Sequence, residues 1–423
     1  MTVFPPRSPA SHGTIAVFRN DAASFVHSNQ KVNSMRVAIA APADLPYLSR
    51  MLATSLEAGV PRGLGGSVTT PLAAELSRRG HEVTLVTLSP ELTAPERWRI
   101  GSMNVLVGPY RTRHRARDAF RQERNTIRDL LDSVDTDVVH AHWTYEFGLG
   151  ALASRHPALV SVHDWAPAIL RRLPDPYRMV RLLMQNHCLL KARHLAVVSP
   201  YIADRVRRIC RGSVHLLPNG LPSECFVRSA PPRDAPVRRI LSVNSAFSPL
   251  KNVGALLRAF QKVRAELVDA ELVLAGPDFQ QGGPAEAWAR ARGLASGTVF
   301  AGPLSNEDVL AAMDRTDIFV APTLEESFGM TVLEAMAQGL PIVAGRSSGA
   351  VPWLLGFGSA GELVDVRRAD HIAAAVVRMA RDPERRAMLG SQALGRAGHF
   401  AWPSLMRSYE TEYRRVASVG RRG

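Results

Sequence analysis

Short apolar runs alternate with stretches of helical spacing along almost the whole chain, and this alternation limits the folds available. The first series contains "RVAIA" (36–40), "HEVTLVTL", "MNVLVG" (103–108), "DVVHAH" (137–142), "ALVSVHD" (158–164) and "HLAVVS" (194–199). Buried parallel strands read as continuous apolar runs, and helices between them must cover both faces of the sheet. One intervening helix is predicted over "PLAAELSRRG" (71–80), with Thr70 as N-cap, Pro71 at the first helical position and Gly80 just past the end. The series stops at "LLPNGLP" (216–222) and the Pro/Arg-rich "APPRDAPVRR" (230–239), then restarts with "RILSV" (239–243), "ELVLAG" (271–276), "TVFAG" (298–302), "DIFVAP" (317–322) and "PIVAG" (341–345).

A chain of 423 residues exceeds one ordinary core. The expected fold class is α/β, with two Rossmann-like doubly wound domains facing across a cleft. The expected boundaries are a mobile extension over 1–34, a first domain over 35–215 and a hinge over 216–236. A second domain over 237–400 and a helix over 401–423, packing back on the first domain, complete the chain. Residues 1–34 lack sustained periodicity and a clear signal-peptide core, so Met35 is an alternative first residue.

Composition narrows the function. Net charge is +14, which suits nucleic acid, anionic lipid or phosphorylated small molecules. No zinc finger, RNP motif or basic repeat accompanies the charge, so a nucleic-acid partner is not expected. Cys188, Cys210 and Cys225 have no C-x-x-C spacing, which argues against a zinc site or disulfide framework and fits a reducing cytoplasm. No apolar run approaches the roughly 18 residues of a membrane span.

In doubly wound sheets, ligands bind beyond the carboxyl ends of the strands. "LEESFGMTVLEAMAQGLP" (324–341) follows directly after "DIFVAP" and carries two acids eight apart, Glu326 and Glu334. Glu334 also fits a T-x-x-E capping box with Thr331, and Glu325 reads as a solvated loop acid. His140 and His142 share one strand face, but no third metal ligand is evident, so no metal site is expected. Asp135-Thr-Asp137 reads as a turn before a strand. "GLGGSV" lacks the last glycine and the strand context of a dinucleotide fingerprint.

"PTLEESFGMTVLEAMAQGLPIVA" resembles the E-x7-E signature of the group 1 retaining glycosyltransferases of GT-B fold, which include glycogen synthase. "GLGGSVTTPLAAELSRRGHEVTLVT", "DVVHAHW", "SVHDW", "VVSPYI", "LPNGLP" and "SPLKNVGALLRAF" follow in that family's order, and the likeness covers nearly the whole chain after Met35. The resemblance implies a hexosyltransferase without metal or cofactor, taking a nucleoside diphosphate sugar as donor. It places Glu326 and His163 beside the donor sugar, Lys251 on the diphosphate and Glu334 on the ribose hydroxyls. Gly329, Met330 and Thr331 would offer N–H groups at a helix start, with Phe328 alongside, and Gly65 and Gly66 would let backbone approach the diphosphate from across the cleft. The family's mechanism is front-face substitution, in which the leaving phosphate oxygen takes the acceptor proton.

One departure stands out. The family commonly carries an arginine five residues before the lysine, and here that position is Ala246. This motivates a rival reading as a catalytically inactive nucleotide-sugar-binding or scaffold protein. A phosphorylase or sugar-nucleotide epimerase of the same fold fits the signature less well. The expected acceptor is a sugar, a lipid-linked sugar or a small natural product, with bacterial cell-surface polysaccharide or glycolipid assembly as the setting. Two basic apolar segments, 110–131 and 171–194, suit core-packed helices with solvated arginines or, alternatively, an anionic membrane surface. The expected location is cytoplasmic, with peripheral contact at the inner face of the membrane.

Overall fold

A computed structural model describes residues 34–227 and 235–420. The expected N-terminal extension, apart from Ser34, lies outside the described residues, as do 228–234 of the expected hinge and 421–423.

The first sheet contains β1 (Arg36–Ala40), β2 (Glu82–Ser89), β3 (Glu96–Ile100), β4 (Met103–Pro109), β5 (Val138–His142), β6 (Ala158–Val162), β7 (His194–Val197) and β8 (Ser213–Leu216). The second contains β9 (Arg239–Val243), β10 (Glu271–Ala275), β11 (Thr298–Gly302), β12 (Ile318–Ala321), β13 (Ile342–Gly345) and β14 (Glu362–Val364). Strand orders are β3-β4-β2-β1-β5-β6-β7-β8 and β11-β10-β9-β12-β13-β14. Every pairing is parallel except β3 with β4. The order reverses at β1 in the first sheet and at β9 in the second, and such switch points open the crevices that ligands use.

Helices α1 (Leu45–Met51), α2 (Thr69–Arg78), α3 (Arg121–Asp132), α4 (Glu146–Ala151), α5 (Ala166–Arg172), α6 (Pro176–Lys191) and α7 (Pro200–Val206) accompany the first sheet. Helices α8 (Val253–Glu266), α9 (Pro284–Arg290), α10 (Asn306–Asp314), α11 (Met330–Ala337), α12 (Val351–Leu354), α13 (Ala369–Arg381) and α14 (Pro383–Ala397) accompany the second, and α15 (Trp402–Gly420) ends the chain. The α2 helix departs from expectation at its start. It begins at Thr69 with Val68 as N-cap and no side-chain cap. Thr70 is instead an acceptor for the Asp44 amide at 3.0 Å, and Thr69 donates to the Pro42 carbonyl, so both hydroxyls tie the helix start to the loop after β1. Tertiary partners outside the segment win over the local cap.

The cores explain the elements. Strand β5 is buried at every position, so its Val-Val-His-Ala-His run carries two histidines into the interior. One apolar cluster runs from Ala38, Val139 and Val160 through Leu221 and Cys225 to Phe319, Met336 and Phe400. A second joins Val37, Leu72, Leu76 and Leu159 to Trp402, Met406, Tyr409, Tyr413 and Val416 of α15. The last helix thus packs on α2 and the first sheet. Its entry is pinned by paired backbone bonds, Leu221 N to Phe400 O and Trp402 N to Leu221 O, both 2.9 Å, and the Tyr409 hydroxyl donates to Pro218 O at 3.0 Å. Among the described residues, no helix is long and apolar enough to cross a membrane.

Trp402 is 1% exposed, with its ring edge-on to Tyr409 at 5.5 Å. Trp402→Ala should cost roughly 3–5 kcal/mol of stability by urea denaturation, because the cavity lies where three segments meet and cannot collapse easily.

Candidate functional site

Two hollows lie along α11. The larger, a cleft of ≈ 540 Å³, is walled by Trp143, His163 and Trp165 on the first sheet's side and by Lys251, Glu326 and Gly329 on the second's. The smaller, ≈ 210 Å³, lies where Tyr47 and Arg50 of α1, Asn306 and Leu310 of α10 and Glu334 of α11 converge. Ser67 lines both. The α1 wall follows from local sequence: Asp44 caps the helix through the Tyr47 amide at 2.8 Å, and Pro46 opens it.

Lys251 and Glu326 sit on separate loops that hydrogen bonds zip together. The Asn252 amide donates to the carbonyls of Pro322 (3.0 Å) and Val366 (2.8 Å), and Leu324 N donates to Leu250 O (2.9 Å). The Glu326 carbonyl is fixed by Ala350 N at 2.8 Å. Lys251 Nζ then donates to Glu326 Oε1 at 2.5 Å, with the two side chains 17% and 23% exposed. Lys251 is the only lysine or arginine among the described residues lining the cleft, and Ala246 supplies no second cation.

Gly329 turns the chain from this loop into α11. Its φ of +100° is left-handed, which a side chain rarely tolerates, and the helix it opens has no side-chain cap. The amides of Met330 and Thr331 therefore begin the helix free of a capping side chain at the cleft wall, where unsatisfied N–H groups and the helix dipole attract an anion. The same geometry removes the capping-box reading of Glu334: the helix starts at Met330, so Thr331 is inside it and cannot be the N-cap. One turn on, Glu334 faces the smaller hollow, and burial lifts its carboxyl to about 7.

His163 lines the cleft at the end of β6, its ring stacked on Trp143 at 4.4 Å. Burial lowers its pKa to about 3, so it is a neutral hydrogen-bonding group. Its Nε2 lies 2.8 Å from His142 Nδ1. His142 Nε2 is buried without a partner. Orphaned buried N–H groups are rarer than orphaned acceptors, which favours His142 with its proton on Nδ1, donating to His163. The His163 proton then resides on Nδ1. His140 lies between the Tyr413 hydroxyl (2.8 Å) and Ser161 Oγ (2.7 Å), so α15 braces this histidine stack from behind. Trp143 holds a left-handed φ of 67° to reach His163, a strain of order 1–3 kcal/mol that clusters at functional sites.

Of the other expected residues, Gly66 and Phe328 line the cleft and Gly65 does not. Gly66 lines the cleft, but its lack of a side chain is required by the chain itself, since a Cβ there would come within 2.6 Å of Pro42 O. Gly65 is not among the cleft-lining residues and serves the turn with a φ of +79°. Phe328 borders the cleft, yet its ring is buried edge-on against Trp353 and Phe400. Glu325 is not a simple solvated acid. It lines the cleft, burial raises its pKa against the pull of Arg172 and Arg171, and its Oε1 is buried without a partner. Asp135 and Asp137 bind the start of β1 through Arg36, away from the cleft. Asp164, Trp165 and Ile169 also line the cleft; "HDW" beside His163 was the available signal for the first two. Tyr47, Arg50 and Asn306 had no local signal.

Two doubly wound parallel sheets with a cleft between them are the GT-B architecture. The sequence model described as "Glycosyl transferases group 1" matches residues 229–396, and that described as "Glycosyltransferase Family 4" matches 65–224. An MMP alpha-(1->4)-mannosyltransferase from Mycolicibacterium hassiacum is 30% identical over 310 residues, 67% of this chain and 72% of its own. A phosphatidyl-myo-inositol mannosyltransferase from Mycolicibacterium smegmatis is 29% identical over 371 residues, 83% of this chain and 91% of its own. The sucrose-phosphate synthase structure from Thermosynechococcus elongatus superposes with a TM-score of 0.73 at 18% identity, covering 91% of this chain and all of that one. The chain belongs to the group 1 glycosyltransferase family.

The raised Glu334 pKa has a stability consequence. The folded chain holds this proton more tightly than the unfolded one, so the contribution is full below about 4.5 and is lost as pH rises through about 7. Glu334→Gln should therefore melt above wild type near pH 8, with the gap closing toward pH 5; thermal melts at both values check this.

Proposed function

We propose that the protein is a retaining, metal-independent hexosyltransferase that uses a nucleoside diphosphate sugar. The observation that carries this reading is the run of features along one helix. Glu326, Lys251 and His163 meet at the cleft, the uncapped start of α11 follows, and Glu334 opens on the second hollow one turn later. A nucleotide sugar has matching chemistry in the same order: hexose hydroxyls, two phosphates, then ribose and base.

In this reading Lys251 and the α11 amides hold the diphosphate and offset the charge that grows on the leaving oxygen. Lys251 is paired with Glu326, so a bound diphosphate would compete with that carboxylate for the ammonium. Neutral His163 hydrogen-bonds the donor sugar. Glu326 steadies the sugar hydroxyls and positive charge at the anomeric carbon. The acceptor oxygen attacks the face from which the phosphate departs, and that phosphate receives its proton. Positioning and electrostatics supply most of the rate. The relatives named for mannosyl transfer, one to phosphatidyl-myo-inositol, favour a mannosyl or related hexose donor, a lipid-linked acceptor and a place in glycolipid assembly. Such an acceptor would bring the protein to the cytoplasmic face of a membrane.

Ala246 is the observation that favours the rival, inactive reading, and one experiment separates the two. Donor hydrolysis and transfer should be measured with UDP, GDP, ADP and dTDP sugars, the donor being chosen by thermal shift. Glu326→Ala and Lys251→Ala should each lower kcat by roughly 10²–10³-fold. Equal background rates in wild type and both variants would establish the inactive reading.

Ribose hydroxyls donate to a carboxylate, so nucleotide binding should expel the Glu334 proton. Affinity for the cognate nucleoside diphosphate should rise from about pH 5 to about pH 8 and level off above the Glu334 pKa. Calorimetric titration of Glu334→Gln should show weaker binding without that rise.

A further inference from the structure

We propose that the outer face of α6, with the arginines around it, seats the protein on an anionic bilayer surface. The purpose of this face rests on the lipid-linked acceptor proposed above, but its geometry stands apart from the active site.

Met179, Leu183 and Leu190 are 47%, 61% and 51% exposed. Their spacing of four and seven places them in one stripe, with exposed His187 between, while Met184, Gln185, Cys188 and Leu189 fill the opposite, buried face. Exposed apolar side chains normally occur singly. Among the described residues eight large ones are exposed; three lie on this helix, and the other five are spread over separate segments.

Cations surround the stripe. Arg113, Arg117 and Arg121 lie exposed in and beside the turn Arg115–Asp118, which packs on α6 with the Phe120 ring 6.0 Å from Tyr177. Arg171 is exposed on α5, which also packs on α6, and Lys191 and Arg193 close the far end. None of these six makes a salt bridge among the described residues. The nearby acids are already engaged: Asp118 by Arg111, Asp175 by Arg178 and Asp129 by Arg128. An apolar stripe within unpaired cations matches the acyl boundary and headgroups of an anionic leaflet. A second copy of this face would meet it cation to cation, which disfavours self-association.

The structure also separates the two basic segments read from the sequence. In 110–131, Phe120, Ile127 and Leu131 are at most 1% exposed, so its apolar side belongs to the core and only its arginines remain for lipid. Helix α6 lies one helix away from the cleft: α5 carries Trp165 at its N-cap and Ile169, both cleft-lining, and packs along α6.

Full-length protein should co-sediment with vesicles of phosphatidylglycerol and phosphatidylcholine at low ionic strength, lose most binding at high ionic strength, and bind phosphatidylcholine alone weakly. The triple variant Met179→Ser, Leu183→Ser, Leu190→Ser should bind at least about 10-fold more weakly with an unchanged melt, because these side chains fill no core. Lys191→Glu with Arg193→Glu should weaken binding and flatten its salt dependence. Failure of wild type to sediment with anionic vesicles, or undiminished binding by the triple variant, overturns the proposal. So does a dimer in solution that the triple variant abolishes, which would assign the face to a second copy. Donor hydrolysis in lipid-free solution is the separate control. Vesicle binding with neither hydrolysis nor transfer keeps the membrane face and removes the enzyme reading, and turnover without vesicle binding does the reverse.

Discussion

The hydrogen bonds that zip the turn before α8 to the loop after β12 make a site out of two unrelated loops. Lys251 and Glu326 are 75 residues apart in sequence. They meet because Asn252 spends both amide protons on carbonyls of neighbouring strand ends, and because Leu250 and Leu324 share a backbone bond. Remove the zip and the ammonium and carboxylate become two solvated surface charges, a pairing of little energetic value. With it, they are a partly buried pair at the mouth of a helix.

The cleft is sparing with positive charge. Among the described residues it holds one lysine, the carboxyl groups of Asp164, Glu325 and Glu326, and a histidine that burial keeps neutral. A neutral imidazole donates or accepts hydrogen bonds without competing with Lys251 for phosphate. Glu325, half-buried with an unpartnered oxygen beside two arginines, adds a group that no motif singled out. Its position across from α5 makes the two domains electrostatically dependent on each other at the cleft, where the Ser199 hydroxyl also donates to Ser327 O at 2.6 Å.

Alternation of apolar runs was enough to read the two parallel sheets, because strands buried on both faces cannot disguise themselves. Strand β3, "ERWRI", was not legible: it is an edge strand whose pattern alternates and whose charges face water. The start of α2 departs from the expected Thr70 cap because the Thr69 and Thr70 hydroxyls bond to the loop after β1. In the candidate site, Lys251, Glu326, Gly329 and Glu334 were legible through one contiguous motif and its partner loop. Gly66 was legible as a glycine but not for its reason, which is a clash with Pro42 O. Tyr47 and Arg50 of α1 and Asn306 of α10 come from two places that only the tertiary fold brings to one hollow.

The return of α15 to the first sheet orders events in time. Tyr413 braces His140, and Trp402, Tyr409 and Val416 complete a core begun by Val37 and Leu72 more than 300 residues earlier. Domains generally fold as units during synthesis, the N-terminal one first. Here the first domain to leave the ribosome must wait for the last helix to be made before its core can close. Until then His140 has no Tyr413 behind it, and the apolar face of the first sheet that α15 covers lacks its cover.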